Sequence, residues 1–84
     1  MRTVHKFQLG PGNNFIKVQH AAKPLHVAFQ GQALCLWLLV ETGAPKSERA
    51  FVVAATGEQL ERGRAYVGTA HNDGLVWHVF EVLL

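Results

Sequence analysis

Hydrophobic and polar positions form the clearest pattern in the middle of the chain, over residues 25–40. Bulky apolar side chains occupy every second position of residues 25–30, which predicts a strand with one face towards water. Residues 33–40 are apolar throughout, a pattern typical of a strand that is covered on both faces. Gly31 and Gln32 separate the two segments. We therefore predict a central hairpin around which the rest of the chain packs.

Apolar and alternating segments on both sides of this hairpin predict further strands. Two glycines, a proline and two asparagines in residues 10–14 predict a tight hairpin between the first two strands. Residues 71–74, with the sequence His-Asn-Asp-Gly, predict another hairpin. Residues 41–49 have the composition of an exposed loop. The predicted strands span residues 3–9, 15–20, 25–30, 33–40, 50–55, 66–70 and 75–83.

This series of strands predicts one all-β domain over residues 1–84, a small antiparallel barrel or sandwich of six to seven strands. Residues 75–83 are apolar on both faces, so one face is available to the core and the other needs a second cover. With a single cysteine and no zinc-like spacing of His and Cys, neither a disulfide nor a metal is expected to stabilise so small a core. We therefore predict a homo-oligomer.

Composition narrows the classes of partner. The net charge is +2, and the eight Lys and Arg residues are scattered, so binding to extended DNA or RNA is not expected. The longest apolar run, residues 33–40, is far shorter than the about 20 residues of a membrane helix. Residues 1–6 carry basic side chains instead of the apolar core of a signal peptide. We expect a protein that works inside a cell and away from the membrane.

Residues that commonly carry catalysis are present without a catalytic setting. Cys35 lies between two leucines of an apolar strand, where a thiol is expected to be buried and structural. The five histidines lack the paired spacing of metal ligands. Ser47, the one serine, lies in a charged segment without a nucleophile motif. We therefore predict neither an enzyme nor a bound metal or cofactor.

Aromatic and cationic side chains offer a better candidate site. Three aromatic residues provide flat apolar surfaces, and three cationic or imidazole side chains are predicted near strand ends, where they would converge on the rim of a small barrel. This combination suits stacking of a base and pairing of its phosphate. The alternative is ordinary core packing and solvated surface charge. The candidate ligand-binding residues are Trp37, Arg49, Arg64, Tyr66, His71 and Trp77.

Several blocks of sequence also resemble a known family. They are residues 5–9 (His-Lys-Phe-Gln-Leu), 25–31 (Leu-His-Val-Ala-Phe-Gln-Gly), 35–40 (Cys-Leu-Trp-Leu-Leu-Val), 48–51 (Glu-Arg-Ala-Phe), 56–57 (Thr-Gly), 66–69 (Tyr-Val-Gly-Thr) and 75–81 (Leu-Val-Trp-His-Val-Phe-Glu). In this order, over nearly the whole chain, they resemble small tailed-phage proteins that carry a domain of unknown function.

The resemblance implies a phage accessory protein in the host cell cytoplasm. Small oligomeric phage proteins of this kind are similar to Sequestin-type anti-defence sponges, which bind nucleotide-derived immune signals. We therefore expect the protein to bind a small nucleotide ligand, an immune signal of the ADP-ribose or cyclic-nucleotide type, and to sequester it without turnover. The alternative is a structural or protein-interaction subunit, such as a virion accessory or an inhibitor of a host protein. A concave site with convergent arginine, histidine and aromatic side chains favours the first, and a flat apolar patch favours the second.

Overall fold

A computed structural model describes residues 1–83 and contains seven antiparallel strands in two sheets. The strands are β1 (Arg2–Leu9), β2 (Gly12–Gln19), β3 (Lys23–Gln30), β4 (Ala33–Glu41), β5 (Lys46–Ala55), β6 (Arg64–Asn72) and β7 (Leu75–Val82). One sheet has the order β1-β4-β3 and the other the order β2-β5-β7-β6. The all-β prediction is confirmed. Of the two predicted architectures the chain adopts the sandwich, since the two sheets form no closed barrel over the described residues.

The core lies between the two sheets and comes from alternate positions of their central strands. Every second residue of β4 from Leu34 to Val40 is buried, as the period of two in a strand requires. The four-stranded sheet contributes Phe51, Val53 and Val79, and Phe51 is fully buried. The opposite side of β4 is less completely covered than predicted, because Trp37 and its neighbour two positions on are only half-buried.

Two of the three predicted hairpins are confirmed, the one between β3 and β4 and the one between β6 and β7. β3 and β4 pair through Gln30 and Ala33 around a two-residue turn. Gly31 has a φ of 60°, which suits the first central position of a type II′ turn. In the β6–β7 turn Asp73 and Gly74 have φ values of 49° and 79°, the two left-handed conformations of a type I′ turn.

The predicted hairpin between the first two strands is wrong. β1 pairs with β4, whereas β2 pairs with β5 in the other sheet. Residues 10–11 therefore carry the chain from one sheet to the other. The Asn14 side chain holds this corner, because its Oδ1 accepts from Gly10 N at 2.8 Å and its Nδ2 donates to Gly10 O at 2.8 Å. A turn is present as predicted, but it serves as a corner of the sandwich.

Several strands are longer than the hydrophobic pattern predicts. β5 begins at Lys46, which pairs with Gln19, so the predicted loop over residues 41–49 is shorter than expected. β6 extends to Arg64 at one end and Asn72 at the other. These strands continue through polar residues because the hydrogen bonds between strands join main-chain groups and do not depend on the polarity of the side chains.

Candidate functional site

The four-stranded sheet has one side turned away from the core, which we call the outer face. The pairing register places Val52 beside Phe80 and Phe80 beside Tyr66 on this side. A bulge between Tyr66 and Gly68 inserts one extra residue into β6, so that Thr69 and His71 lie on the same side of the sheet as Tyr66. The outer-face residues include Asn13, Phe15 and Lys17 of β2, Glu48, Ala50, Val52 and Ala54 of β5, Arg64, Tyr66, Thr69 and His71 of β6, and Val76, His78, Phe80 and Val82 of β7.

Two large aromatic side chains stand exposed on the outer face. Phe15 is 66% exposed and Tyr66 is 63% exposed. The Tyr66 ring packs edge-on against Phe80, with 5.6 Å between the ring centroids. Exposed aromatic rings on a sheet are typical of a binding surface, because contact between apolar ring surface and water is unfavourable and a bound partner removes it.

A cavity of about 220 Å³ lies between the β5–β6 loop and the outer face, and we call it the loop cavity. It is a shallow depression open to solvent, lined by two sheet residues, three exposed loop residues and the first residue of β6. The lining residues are Asn13, Val52, Gln59, Leu60, Glu61 and Arg64. The cavity is thus mostly polar, with two amides, one carboxylate and one guanidinium.

Arg64 is the cation of this cavity, and its hydrogen bonds are incomplete. Its side chain is only 16% exposed. Nη1 donates to Arg62 O at 3.0 Å, and Nη2 donates to Glu61 Oε2 at 3.2 Å. Nε is buried and donates to no group within residues 1–83. A buried donor without an acceptor costs about 1–3 kcal/mol, so the Arg64 guanidinium has hydrogen-bonding capacity that the described protein does not use.

A chain of hydrogen bonds crosses the outer face through His78. Thr56 Oγ1 lies 2.8 Å from His78 Nε2, and Thr69 Oγ1 lies 3.1 Å from His78 Nδ1. Tyr66 Oη continues the chain at 2.8 Å from Thr69 Oγ1. The sequence alone does not reveal this role of Thr56, Thr69 and His78, because only the register of β6 on β7 brings them together. The chain ties the Tyr66 hydroxyl to the sheet.

The six candidate residues do not converge on one rim as expected. Arg64, Tyr66 and His71 share the outer face of β6. Trp37 lies on the other sheet, on its solvent side, with its ring 5.7 Å from that of His26. Trp77 lines a separate cleft at one end of the sandwich. Arg64 and Tyr66 therefore lie two positions apart, His71 lies at the opposite end of the same strand, and the other three residues lie elsewhere.

Arg49 lies on the core-facing side of β5, as Phe51 does. Its Nε and Nη2 donate to the two carboxylate oxygens of Glu81 at 2.6 and 2.7 Å. Nη1 donates to Ala22 O, and the guanidinium carbon lies 5.8 Å from the centroid of the Phe51 ring. Both charged side chains are about four-fifths buried, with exposures of 18% and 19%. Arg49 therefore closes one end of the core with all three guanidinium nitrogens engaged.

Within residues 1–83, no three His, Cys, Asp or Glu side chains are placed to hold a metal ion together. The same part of the chain contains no helix long and apolar enough to cross a membrane.

Comparison with known proteins yields one family. A family model described as a domain of unknown function, DUF7352, matches residues 1–83. No curated protein and no solved structure matches the chain. The resemblance drawn from the sequence blocks is thus confirmed as far as a domain of unknown function is concerned. Since the match covers nearly every residue, the chain belongs to the DUF7352 family.

Proposed function

We propose that this protein is a non-catalytic binding module for a phosphate-containing nucleotide, held on the outer face with its phosphate in the loop cavity. The observation that carries the proposal is the Nε of Arg64. This buried donor belongs to a charged guanidinium and has no acceptor in the described structure. A phosphate oxygen would supply that acceptor, and arginine binds phosphate through paired hydrogen bonds.

The rest of the cavity is compatible with an anion. The side-chain amides of Asn13 and Gln59 can donate to further phosphate oxygens. Glu61 is the group that a phosphate would displace from Arg64. Its side chain is 87% exposed and its contact is 3.2 Å long, so the pair contributes little stability.

Tyr66 provides the second part of the proposed site. It lies two residues from Arg64 on the same side of β6, which places the two side chains about 7 Å apart along the strand. Its exposed ring offers a stacking surface for a base, an interaction worth about 1–3 kcal/mol. Phe80 packs edge-on beside the ring, and Thr69 hydrogen-bonds the hydroxyl, so little side-chain entropy is lost on binding.

The biological setting of the proposal follows from the sequence resemblance. We propose a phage accessory protein that sequesters an ADP-ribose or cyclic-nucleotide immune signal in the host cytoplasm, in the manner of Sequestin-type sponges. The six residues that line the loop cavity include no serine, threonine, cysteine, histidine or lysine. Glu61 is the one carboxylate of the lining, and we propose binding without turnover because no second nucleophile or base lines the cavity beside it.

Calorimetry against cyclic dinucleotides, ADP-ribose and cyclic ADP-ribose isomers tests the proposal. We expect one of them to bind the wild-type protein and to be recovered intact after heat release. Arg64→Gln should weaken binding by about tenfold or more, the loss of a charge-assisted hydrogen bond, and Tyr66→Leu should weaken it separately. Arg62→Gln is the matched control, because Arg62 is an exposed neighbour outside the cavity lining.

Three results would count against this function. They are no binding to any member of the panel, equal losses from the Arg62 and Arg64 variants, and recovery of ligand fragments. Circular dichroism of each variant separates loss of the site from loss of the fold.

A protein-interaction subunit is the second candidate, and the exposed Phe15 favours it. This ring lies on β2, the edge strand of the outer face, where it stacks on nothing in the described structure. A flat apolar sheet with an exposed ring suits a protein partner. We propose that the first such partner is a second copy of the chain, in keeping with the predicted homo-oligomer. Absence of nucleotide binding together with self-association through this face would favour the second candidate.

A further inference from the structure

A cleft of about 250 Å³ opens at one end of the sandwich, and we call it the end cleft. The β3–β4 turn, the β6–β7 turn and the β1–β2 corner meet around it. Its floor is the open end of the core between the two sheets. The lining residues are Leu9, Gly10, Pro11, Phe29, Gln32, Leu34, Val53, Asn72, Asp73, Leu75 and Trp77.

The end cleft differs from the loop cavity in its chemistry. Its floor and walls are aliphatic and aromatic side chains, among them the half-buried ring of Trp77. Its polar groups are the amides of Gln32 and Asn72 and the carboxylate of Asp73. Of the described residues that line it, only Asp73 carries a charge, and that charge is negative. An anionic ligand would meet repulsion here without any compensating cation.

We propose that the end cleft binds a small aromatic amine, with its ring against Trp77 and its ammonium group beside Asp73. Charge complementarity selects the ammonium, because the Asp73 carboxylate is an acceptor for a charge-assisted hydrogen bond. Size selects a single ring with a short chain, because the cleft is smaller than the roughly 300 Å³ at which pockets for drug-sized ligands begin. This site is independent of the proposed nucleotide function.

Asp73 lies in the turn in a conformation that aspartate and asparagine both tolerate. Its φ of 49° is left-handed, and the following Gly74 completes a type I′ turn, for which Asn-Gly is as suitable as Asp-Gly. Asp73→Asn therefore removes the charge of the cleft while it preserves the hairpin. This substitution therefore tests the contribution of the Asp73 charge to binding without changing the shape of the site.

Fluorescence of Trp77 measures binding directly in a Trp37→Phe background, since the chain has two tryptophans and Trp37 lies on the other sheet. The probes are 2-phenylethylamine, 2-phenylethanol and phenylacetate, which share a ring and differ in charge. We expect the amine to bind most tightly, the alcohol more weakly and the carboxylate least. Equal affinities for the three probes, or no response to the amine, would overturn the proposal.

Variants locate the interaction within the cleft. Asp73→Asn should weaken binding of the amine by about threefold to tenfold, towards that of the alcohol, and leave the alcohol unchanged. Leu75→Phe should narrow the cleft without adding a second indole and should weaken both, whereas Arg62→Gln in the exposed β5–β6 loop should change neither. An unchanged amine affinity in Asp73→Asn, in protein shown by circular dichroism to be folded, would exclude the ammonium contact.

Discussion

Arg49 and Arg64 have the same chemistry in the sequence and opposite situations in the structure. The three nitrogens of the Arg49 guanidinium donate to protein acceptors, two of them to one carboxylate. Arg64 keeps a buried Nε without an acceptor in the described chain. A satisfied arginine stabilises a fold, whereas an incompletely satisfied one is suited to a ligand. We therefore assign a structural role to Arg49 and reserve ligand binding for Arg64.

This assignment predicts that Arg49→Ala destabilises the protein. The substitution leaves the Glu81 carboxylate on the core-facing side without its partner and removes a donor from Ala22 O. We expect a decrease of about 1–3 kcal/mol in the free energy of unfolding, measured by urea denaturation. Lys46→Ala, an exposed position of the same strand, is the control and should change little. Equal midpoints for the wild type and Arg49→Ala would contradict the structural role.

Cys35 provides a test of burial at a single atom. It is 2% exposed, although it points to the solvent side of β4, between Gln8 and Ala28 of the neighbouring strands. The native thiol should react with a thiol reagent at least about tenfold more slowly than in urea, because the reagent must wait for an opening of the structure. Labelling of native protein at the rate of the unfolded chain would show that the strand does not protect it.

β6 carries both the proposed ligand residues and a close contact with the other sheet. Its outer face presents Arg64 and Tyr66, while Gly68 faces β3 of the other sheet. A Cβ atom at Gly68 would lie 2.9 Å from Val27 Cγ2 and 3.0 Å from Val27 Cβ. Glycine is thus required here for close packing of two edge strands, rather than for a special backbone conformation.

Gly68→Ala should therefore destabilise the sandwich by about 1–3 kcal/mol, the usual cost of overpacking. The double variant Gly68→Ala with Val27→Ala should lose less than the sum of the two single variants, since the second change makes room for the first. Gly43→Ala is the control, because a Cβ at Gly43 meets no atom within 4 Å. Denaturant midpoints of the four proteins measure the coupling, and simple additivity would argue against the close contact.

The molecule as a whole presents two solvent sides of unequal character. The outer face of the four-stranded sheet exposes Phe15 on one edge strand and Tyr66 on the other. We propose that the homo-oligomer interface forms around Phe15 at the β2 edge, away from the proposed nucleotide site on β6. The solvent side of the three-stranded sheet exposes Val4 beside charged neighbours such as Lys6, which hydrogen-bonds Gln30. Both sides carry charged side chains, including Lys17 and Arg64 on the outer face. The outer face is the better candidate for self-association because it also exposes aromatic rings, which are enriched in protein interfaces.

Phe15→Asp should shift the protein towards the monomer, because burial of an unpaired charge in an apolar interface costs several kcal/mol. The position is 66% exposed in the protomer, so the fold should tolerate the change. Val4→Asp, on the opposite side, should leave the assembly as it is. Sedimentation at micromolar concentration distinguishes these outcomes, and a wild-type protein that sediments as a 9.3 kDa monomer would disprove the oligomer.

Prediction from the sequence succeeded where the signal is local. Asp73 and Gly74 form the expected turn, and Gly31 forms the expected start of another, because left-handed φ values select these residue types directly. Prediction failed at residues 10–14, where glycine, proline and asparagine signal a turn without showing which strand follows as a partner. Likewise, the residue types of Arg49 and Trp77 could not show that one pairs with Glu81 and the other lines the end cleft.

The sequence by itself determined the class of the fold, because a period of two in apolar side chains selects strands whatever their partners are. It also determined the turns that join paired strands and the burial of Cys35. The tertiary structure alone decided the division into two sheets, since strand pairing joins residues far apart in the chain. It also decided that Arg64, Tyr66 and the His78 hydrogen-bond chain share one face. Such a site depends on cross-strand register, which is set by the packing of the whole core.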